Sequence, residues 1–380
     1  MFKRRCFAYF VSVLILMLSV VSPCAISQEE LTSPSAILME PTTHKILFEK
    51  NANEQRACAS ITKVMTLLLV MEAIEDGKIA YDDIVTTSEH AKSMGGSDIW
   101  LEVGEQMTVD EMIKATAVAS ANDAAVALAE HLCGTEDEFV AQMNVRAKEL
   151  GMENTVFKNC NGLDEEGHIT TAYDVAIMSC ELIKHEKIFD YTTIWLDTLR
   201  GGETQIVNTN KLLKSYNGIT GLKTGTTGDA GSCITATATR DSLSLCAVVL
   251  GSTTGTERFK DAATLLDYGF ANYEILSFDA KSEKLSKIAV TNGMRDSVSL
   301  SCTGNSNMIV AKGSADKIEQ KVDVKESLQA PVKKGQKAGT LTFTLDGNTV
   351  SQFDIVTTQE VEKISFSAVF CELLSALVAL

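Results

Sequence analysis

Apolar and polar residues recur with two periods up to about residue 276, and the two periods predict a mixture of helices and strands. Alternation at 35–40 and 45–49, around the turn at 41–44, predicts a hairpin. A long run over 60–75, rich in Val, Met and Leu and followed by Gly77, predicts a helix. The same criteria predict helices at 109–117, 123–133, 171–183 and 261–268, another from the capping box at 135–138 to Gly151, and a strand at 243–250.

After residue 276 the helical period disappears. Short alternating runs follow at 287–290, 297–301, 307–311, 339–345 and 352–356, with turn residues at 333–335 and 346–347. We therefore predict an α/β domain over 28–276 and a small all-β domain, a β-sandwich, over 277–360.

The N-terminus has the pattern of a secretory signal. Lys3, Arg4 and Arg5 precede an apolar run over 7–21, and small residues follow at 22–27. This predicts a cleaved signal peptide over 1–27 and an exported protein at the outer face of the cytoplasmic membrane or in the cell wall. An uncleaved N-terminal anchor is the alternative.

The C-terminal segment 361–380 is apolar again. Wound as a helix, it places Ser365, Ala368, Glu372, Ser375 and Ala379 on one narrow stripe and leaves a wide apolar face. This predicts an amphipathic helix that lies on a membrane surface. Because the stripe has no Lys or Arg, a helix docked on the protein itself is the alternative.

Composition and charge exclude several classes of function. The chain has 380 residues, 45% of them hydrophobic, and a formal net charge of −16. The hydrophobic fraction excludes a disordered chain, and the negative charge repels phosphate backbones, so we expect no nucleic-acid partner. The ten cysteines are scattered without a C-x-x-C pair. We therefore predict neither a disulfide framework, a metal site nor a cofactor.

Three short motifs carry candidate chemistry: S-x-x-K at 60–63, S-x-N at 120–122 and K-T-G at 223–225. Each is weak alone, since a second S-x-x-K occurs at 314–317 and a second S-x-N at 215–217. The predicted secondary structure around each motif separates the first three motifs from the two repeats. The first three lie at a predicted helix start, between two predicted helices and before a predicted strand, whereas 314–317 falls in the β domain. None of the five histidines lies in a G-x-S-x-G setting, which disfavours a Ser-His-Asp hydrolase.

The spacing at 60–63 suits a serine nucleophile with a lysine base. Lys63 lies one helical turn after Ser60 and on the same face, so its amine can reach the hydroxyl. Apolar neighbours at Ile61, Val64 and Met65 favour a lowered lysine pKa. The backbone N–H of Ser60 is then available to stabilise an oxyanion.

The other two motifs complete an acyl-transfer site. We expect Ser120 to pass a proton between Lys63 and a leaving amine, and Asn122 to bind a substrate amide. We expect Lys223 to bring a fixed positive charge for a substrate carboxylate. The strand after Gly225 can pair with an extended peptide.

Together the motifs resemble those of the serine-type D-alanyl-D-alanine carboxypeptidases, the low-molecular-weight penicillin-binding proteins. The resemblance extends from about residue 35 to 356. Further matching stretches lie at 101–104, 122–131, 159–164, 208–213, 221–225, 229–231 and 330–336. It implies a penicillin-binding, β-lactamase-like transpeptidase fold with an antiparallel sheet and helices, followed by the small β domain.

The resemblance also implies roles for single residues. Ser60 would be the acylated nucleophile, Lys63 its proton acceptor and Ser120 the third catalytic group. The substrate-binding residues would be Asn122, Lys223, Thr224, Gly225, Thr226 and Arg258, with the Thr226 N–H in the oxyanion hole. The expected partners are a peptidoglycan stem peptide ending in D-Ala-D-Ala, β-lactam antibiotics and, through the C-terminal helix, a membrane surface.

Some positions depart from the family pattern. Cys58 and Cys160 stand where proline is frequent, and Thr209 and Thr226 where some members carry Arg and His. Cys58, two residues before Ser60, is either a packed structural cysteine or a redox-sensitive thiol. A D,D-endopeptidase, a β-lactamase and a non-catalytic wall or spore scaffold remain as alternatives to the carboxypeptidase.

Overall fold

The structure is a computed structural model and describes residues 26–277, 285, 287–303, 307–367 and 369–370. The predicted signal peptide therefore lies almost entirely outside the described residues. The chain divides between Asn272 and Tyr273 into two units with separate hydrophobic cores. This division falls shortly before the predicted boundary at 276, because the strand Tyr273–Ser277 pairs with Asn307–Ala311 of the second unit.

The first unit combines helices and strands in the predicted order, with some elements added. Its helices are α1 (Lys63–Glu75), α2 (Glu89–Lys92), α3 (Val109–Lys114), α4 (Asn122–Cys133), α5 (Glu136–Glu149), α6 (Ala172–Leu182), α7 (Phe189–Thr192), α8 (Leu212–Ser215) and α9 (Gly255–Asn272). Its strands are β1 (Ser35–Glu40), β2 (Lys45–Lys50), β3 (Ile84–Thr86), β4 (Gln106–Thr108), β5 (Leu196–Leu199), β6 (Thr204–Val207), β7 (Ile219–Thr227), β8 (Gly231–Arg240) and β9 (Leu243–Ser252). Turns of 3-10 helix lie at Gln28–Glu30, Ala59–Thr62, Glu186–Ile188 and Arg200–Gly202, and a π-helical segment at Ala115–Ala119.

The main sheet is antiparallel, with the order β2-β1-β9-β8-β7. Neighbouring residues of β1 point to opposite faces of this sheet. Leu38 lies where a side chain on Gly269 of α9 would meet it, whereas Met39 contacts Cys180 of α6. Helices therefore cover both faces of the sheet, and β7 is left at one edge.

Helix α1 is a core helix. From Lys63 to Met71 every residue is buried, as expected for a segment that is apolar on all sides. The predicted helix at 60–75 differs at its start, where the 3-10 turn Ala59–Thr62 precedes it and Ala59 adopts a left-handed φ of 50°. The first residue of the regular helix, Lys63, is thereby placed inside the core.

The second unit is all-β. Its strands are β10 (Tyr273–Ser277), β11 (Ile288–Thr291), β12 (Ser297–Val298), β13 (Leu300–Thr303), β14 (Asn307–Ala311), β15 (Ile318–Val324), β16 (Ser327–Gln329), β17 (Lys337–Leu345) and β18 (Asn348–Thr357). A 3-10 turn, Ala315–Lys317, contains most of the second S-x-x-K. Strand β15 was missed by the sequence analysis because Gln320 interrupts its apolar positions at Ile318, Val322 and Val324. All five of its inner residues are exposed.

The C-terminal segment begins inside this β unit. Val361 is buried and pairs with Val332, Lys363 pairs with Gly293, and the Ile364 amide donates to the Asn292 carbonyl. Helical residues follow at 366–367 and 369–370, and the rest of the predicted amphipathic helix lies outside the described residues. Within the described part of the chain, no helix has the length and apolarity needed to cross a membrane.

Candidate active site

Ser60 lies in the 3-10 turn that precedes α1, and two glycines approach this turn closely. A Cβ on Gly162 would lie 2.0 Å from the Ala59 carbonyl oxygen, and one on Gly225 would lie 2.7 Å from the Cys58 carbonyl oxygen. Real Cβ atoms do not approach backbone this closely, so only glycine fits at either position. The turn is therefore held between the 159–164 loop and strand β7.

Lys63 makes hydrogen bonds with three uncharged groups. Its Nζ lies 2.9 Å from Ser60 Oγ, 2.5 Å from Asn122 Oδ1 and 2.6 Å from the Asn161 carbonyl oxygen. Burial lowers the pKa of Lys63 to about 7, although Cys160, Asp98 and Asp123 act in the opposite direction. A neutral amine has two N–H groups for the two carbonyl oxygens, which leaves its lone pair for the Ser60 hydroxyl.

Ser120 and Asn122 connect the π-helical segment to α4. Ser120 adopts a left-handed conformation, with φ 62°, where the π-helical segment ends. Both the side chain and the backbone of Asn122 are fixed. Its side-chain Nδ2 donates to the Gly95 carbonyl at 2.6 Å, and its backbone N–H donates to the Ser97 carbonyl at 2.7 Å. The Asn122 side chain therefore presents its oxygen to Lys63 in a defined orientation.

Lys223 binds the other serine of the site. Its Nζ donates to Ser120 Oγ at 2.7 Å and to the Thr224 carbonyl at 3.0 Å. The K-T-G motif lies within β7 and not before a strand as predicted. The sequence Ile219–Thr227 has two glycines and no apolar alternation, which explains why the pattern missed it. Because β7 is an edge strand, it pairs with β8 on one side only.

The charges near Lys223 differ from the sequence-based expectation of a fixed cation. Burial, followed by the charges of Lys63 and Arg258, lowers the pKa of Lys223 well below its ordinary value. Arg258 of α9 stays protonated in proteins and supplies the permanent charge. Its Nη1 donates to the Gly225 carbonyl at 2.7 Å and to Thr226 Oγ1 at 2.8 Å. Among the described side-chain atoms, its buried Nε has no hydrogen-bond partner.

Three cysteines surround the nucleophile turn: Cys58, Cys160 and Cys233. All three are fully buried. Burial raises the pKa of Cys58 to about 12 and that of Cys233 to about 11, and holds that of Cys160 well above its ordinary value. Protonated, buried thiols are poor nucleophiles, so the structure favours Cys58 as a packed residue over a redox-sensitive thiol.

Two contacts of the site have no clear sequence signal. The Asn161 carbonyl that holds Lys63 is a backbone group, so only its place in the 159–164 stretch pointed to it. His168 accepts the Lys158 amide at Nδ1, so its Nε2 carries the proton and donates to Thr62 Oγ1 at 2.8 Å. Burial lowers the pKa of His168 to about 4, so the neutral ring supports the nucleophile turn.

The site thus brings together Ser60, Lys63 and Asn122 on one side and Ser120, Lys223, Thr224, Gly225, Thr226 and Arg258 on the other. Ser120 receives its hydrogen bond from Lys223, and it is not one of the three hydrogen-bond partners of Lys63. Over the described residues, no group of three or more His, Cys, Asp and Glu side chains is arranged to hold a metal ion.

Two family models match this chain. A family model described as D-alanyl-D-alanine carboxypeptidase matches residues 22–254, and one described as penicillin-binding protein 5, C-terminal domain, matches residues 273–363. The D-alanyl-D-alanine carboxypeptidase DacF of Bacillus subtilis is 44% identical over 336 residues, which are 87% of this chain and 86% of the relative.

Two solved structures are similar to this chain. Penicillin-binding protein 5 of Haemophilus influenzae has a TM-score of 0.81 and 29% identity, with 89% of this chain and 100% of that chain covered. Penicillin-binding protein D2 of Listeria monocytogenes, in an ampicillin-bound form, has a TM-score of 0.59 and 31% identity, with 64% and 100% covered.

The chain therefore belongs to the D-alanyl-D-alanine carboxypeptidase family and is a serine-type enzyme of that family. The predicted fold class, a transpeptidase-type α/β domain followed by a small all-β domain, is confirmed.

Proposed function

We propose that the enzyme removes the terminal D-alanine from peptidoglycan stem peptides through an acyl-Ser60 intermediate. The observation that carries this proposal is the buried amine of Lys63, 2.9 Å from Ser60 Oγ and without a carboxylate among its three hydrogen-bond partners. A lysine with a pKa of about 7 is a competent base near neutral pH, as a serine nucleophile requires.

In the acylation step, Lys63 takes the hydroxyl proton while Ser60 Oγ attacks the carbonyl carbon of the penultimate D-alanine. The backbone N–H groups of Ser60 and Thr226 stabilise the tetrahedral oxyanion. The C–N bond then breaks as Ser120 gives its hydroxyl proton to the leaving amine and takes up the proton that Lys63 holds, so that Ser120 and Lys63 are both neutral again. Water hydrolyses the resulting ester and regenerates the Ser60 hydroxyl, so the proton lost by Ser60 is balanced by the one gained by D-alanine.

The substrate carboxylate fits the positive side of the site. Burial and two cations disfavour the protonated form of Lys223 in the empty site. An incoming carboxylate opposes both effects and favours that form. Thr224 and Gly225 supply backbone groups of an edge strand, to which an extended peptide can add, and Asn122 binds its amide. Arg258 orients Thr226 through its hydrogen bond and adds permanent charge.

We also propose that β-lactams acylate Ser60, since their strained amide presents a carbonyl and a carboxylate in the same arrangement. The ampicillin-bound relative supports this by similarity.

One assay tests the proposal. The protein without residues 1–27 is incubated with a pentapeptide ending in D-Ala-D-Ala, and free D-alanine is measured with and without penicillin. We expect release that penicillin blocks. Cleavage only of a cross-linked dimeric peptide would indicate an endopeptidase, and rapid turnover of a chromogenic cephalosporin without D-alanine release would indicate a β-lactamase. No reaction with any of the three would indicate a scaffold.

We further propose that residues 1–27 direct export and that the tail holds the enzyme at the outer face of the cytoplasmic membrane. In the described part of the tail, Phe366 and Phe370 stack on each other and are 87% and 53% exposed. Exposed aromatic side chains of this kind are typical of a surface that binds an apolar partner. Deletion of residues 365–380 spares the strand pairings of Val361 and Lys363 and should release active protein from membranes. A truncated protein that still pelleted with membranes would favour the uncleaved N-terminal anchor.

A further inference from the structure

Trp100 is exposed to solvent, and its backbone has a conformation that a bulky residue rarely adopts. Trp100 is 79% exposed, and its backbone has a left-handed φ of 55°. Such a conformation is unfavourable for a large L-residue. The exposed indole gains no compensating burial, so packing does not explain this geometry, and conformations of this kind cluster at functional sites.

The backbone on both sides of Trp100 is fixed by buried or paired groups. The amides of Ile99 and Leu101 donate to the buried Asp123 carboxylate, at 3.2 and 3.0 Å. From the β5–β6 hairpin, Arg200 donates through Nη1 to the Ile99 carbonyl at 3.1 Å, and its Nε lies 2.6 Å from Glu105 Oε1. The indole is therefore presented from a rigid segment, which lowers the entropic cost of binding a ligand.

This segment is also part of the active site. Asp123 directly follows Asn122, and Asn122 is held by the carbonyls of Gly95 and Ser97 from the same loop. The neighbours of Trp100 are thus anchored to Asp123, and the residue before Asp123 binds Lys63 and, under the proposed function, the substrate amide. A ligand that reaches Trp100 can be an extension of the substrate beyond its reacting end.

The proposed substrate identifies the class of ligand for the exposed indole. The nearby acidic side chains already have partners, because Glu102 pairs with Lys92 and Asp98 accepts the backbone N–H of Asp123. A stem peptide is an extension of a glycan strand, and a sugar ring suits an exposed indole because its C–H face packs on the aromatic ring.

We propose that Trp100 forms a subsite for a sugar ring of the glycan strand that carries the stem peptide. This inference rests on the proposed function and deepens it, because it assigns the enzyme a preference for glycan-linked over free stem peptides.

The kinetic test compares a free pentapeptide with the same pentapeptide attached to its N-acetylglucosamine–N-acetylmuramic acid disaccharide. For Trp100→Ala, we expect KM for the glycan-linked substrate to rise about fivefold to tenfold with little change in kcat. The free pentapeptide should be processed as by the wild type, and Trp100→Phe should recover much of the loss. Val145→Ala, at a residue of α5 that is 56% exposed, is the matched control and should change neither substrate.

A second measurement does not depend on catalysis. The chain has two tryptophans, Trp100 and Trp195, so its indole N–H signals can be assigned by NMR with Trp100→Phe. Titration with the peptide-free disaccharide should shift the Trp100 signal and leave the Trp195 signal in place. This result would stand even if no D-alanine were released, in which case the proposed function would fail and the sugar subsite would remain.

The proposal would be overturned by three results. These are an unchanged Trp100 signal with the disaccharide, equal losses on free and glycan-linked peptides in Trp100→Ala, or a Trp100 signal that responds only to lipid vesicles or to protein concentration.

Discussion

Two lysines lie in the same site, and their surroundings differ. Lys63 and Lys223 are both buried, and each hydrogen-bonds a serine hydroxyl, at 2.9 Å for Ser60 and 2.7 Å for Ser120. Lys63 starts a core helix, and the nearby carboxylates Asp98 and Asp123 partly oppose the effect of burial on its pKa. Lys223 lies on an edge strand, and its charged neighbours are the cations Lys63 and Arg258.

This difference shows how one residue type can serve two purposes. Burial alone would make both amines weakly basic, and the neighbouring charges decide how far each pKa falls. Lys63 is left with a pKa of about 7, where both of its protonation states are accessible. A bound anion favours the protonated form of Lys223, so we infer that its protonation is coupled to binding of the substrate carboxylate.

The largest effect is expected at the nucleophile. Ser60→Ala removes the only atom that can form the acyl bond, so D-alanine release should fall by at least about 10⁴-fold. Covalent labelling by a fluorescent penicillin should disappear as well. Ser314→Ala, at a half-buried residue of the second S-x-x-K, is the matched control. Undiminished labelling of Ser60→Ala, or loss of labelling in Ser314→Ala, would show that the nucleophile is elsewhere.

Two arginine variants test most directly whether the two lysines have different roles. Lys63→Arg keeps the positive charge but cannot accept a proton, so acylation by penicillin should slow by about 10²–10⁴-fold. Lys223→Arg should be milder and should act mainly through KM, because only charge and reach are needed there. Equal losses of acylation rate in the two variants would contradict separate base and binding roles.

A third variant tests how tightly the nucleophile turn is held. In Gly162→Ala the new Cβ would overlap the Ala59 carbonyl at 2.0 Å, so we expect a loss of about 3 kcal/mol in the free energy of unfolding together with reduced acylation. Gly167→Ala is the control, because its φ of 80° is also left-handed but the nearest atom, Lys158 Cε, is 3.4 Å away. Denaturant unfolding of both variants should rank Gly167→Ala much closer to the wild type. A similar loss in both would mean that φ, and not contact with the turn, sets the requirement for glycine.

The pH dependence should sharpen the comparison with a smaller effect. The neutral form of Lys63 is the base, and its pKa is lowered to about 7, so kcat/KM should fall about tenfold per pH unit below that value. Stopped-flow acylation by a chromogenic β-lactam gives this profile. Lys223→Arg should retain the inflection near pH 7. A flat profile between pH 5 and 8 in the wild type would count against Lys63 as the base.

Sequence alone predicted the elements with strong local signals. Helices α5 and α6 begin next to the predicted positions, because the caps Thr135 and Thr171 accept backbone amides at their starts. Helix α4 begins one residue before its predicted start, although it has no side-chain cap. Strand β7 was missed because it has two glycines and no apolar face with period two, and β15 was missed because Gln320 interrupts its apolar face. The three motifs identified Ser60, Lys63, Ser120, Asn122 and Lys223 as candidates.

The remaining features of the site depend on tertiary structure. The Asn161 carbonyl, the left-handed Ala59 and the mutual effect of two buried lysines arise only when distant segments meet. No local pattern could show that Ser120 pairs with Lys223 and not with Lys63, or that the charge on Lys223 depends on its neighbours.

The central claim is that a substantial fraction of the Lys63 side chains is neutral near pH 7. It is tested most directly by NMR titration of protein labelled with ¹³C at lysine Cε, with the Lys63 signal assigned by its absence in Lys63→Arg. We predict a Lys63 signal that titrates near pH 7, well below the exposed lysines of the surface. If the Lys63 signal keeps the chemical shift of a protonated amine up to pH 10, Lys63 is not the neutral base proposed here.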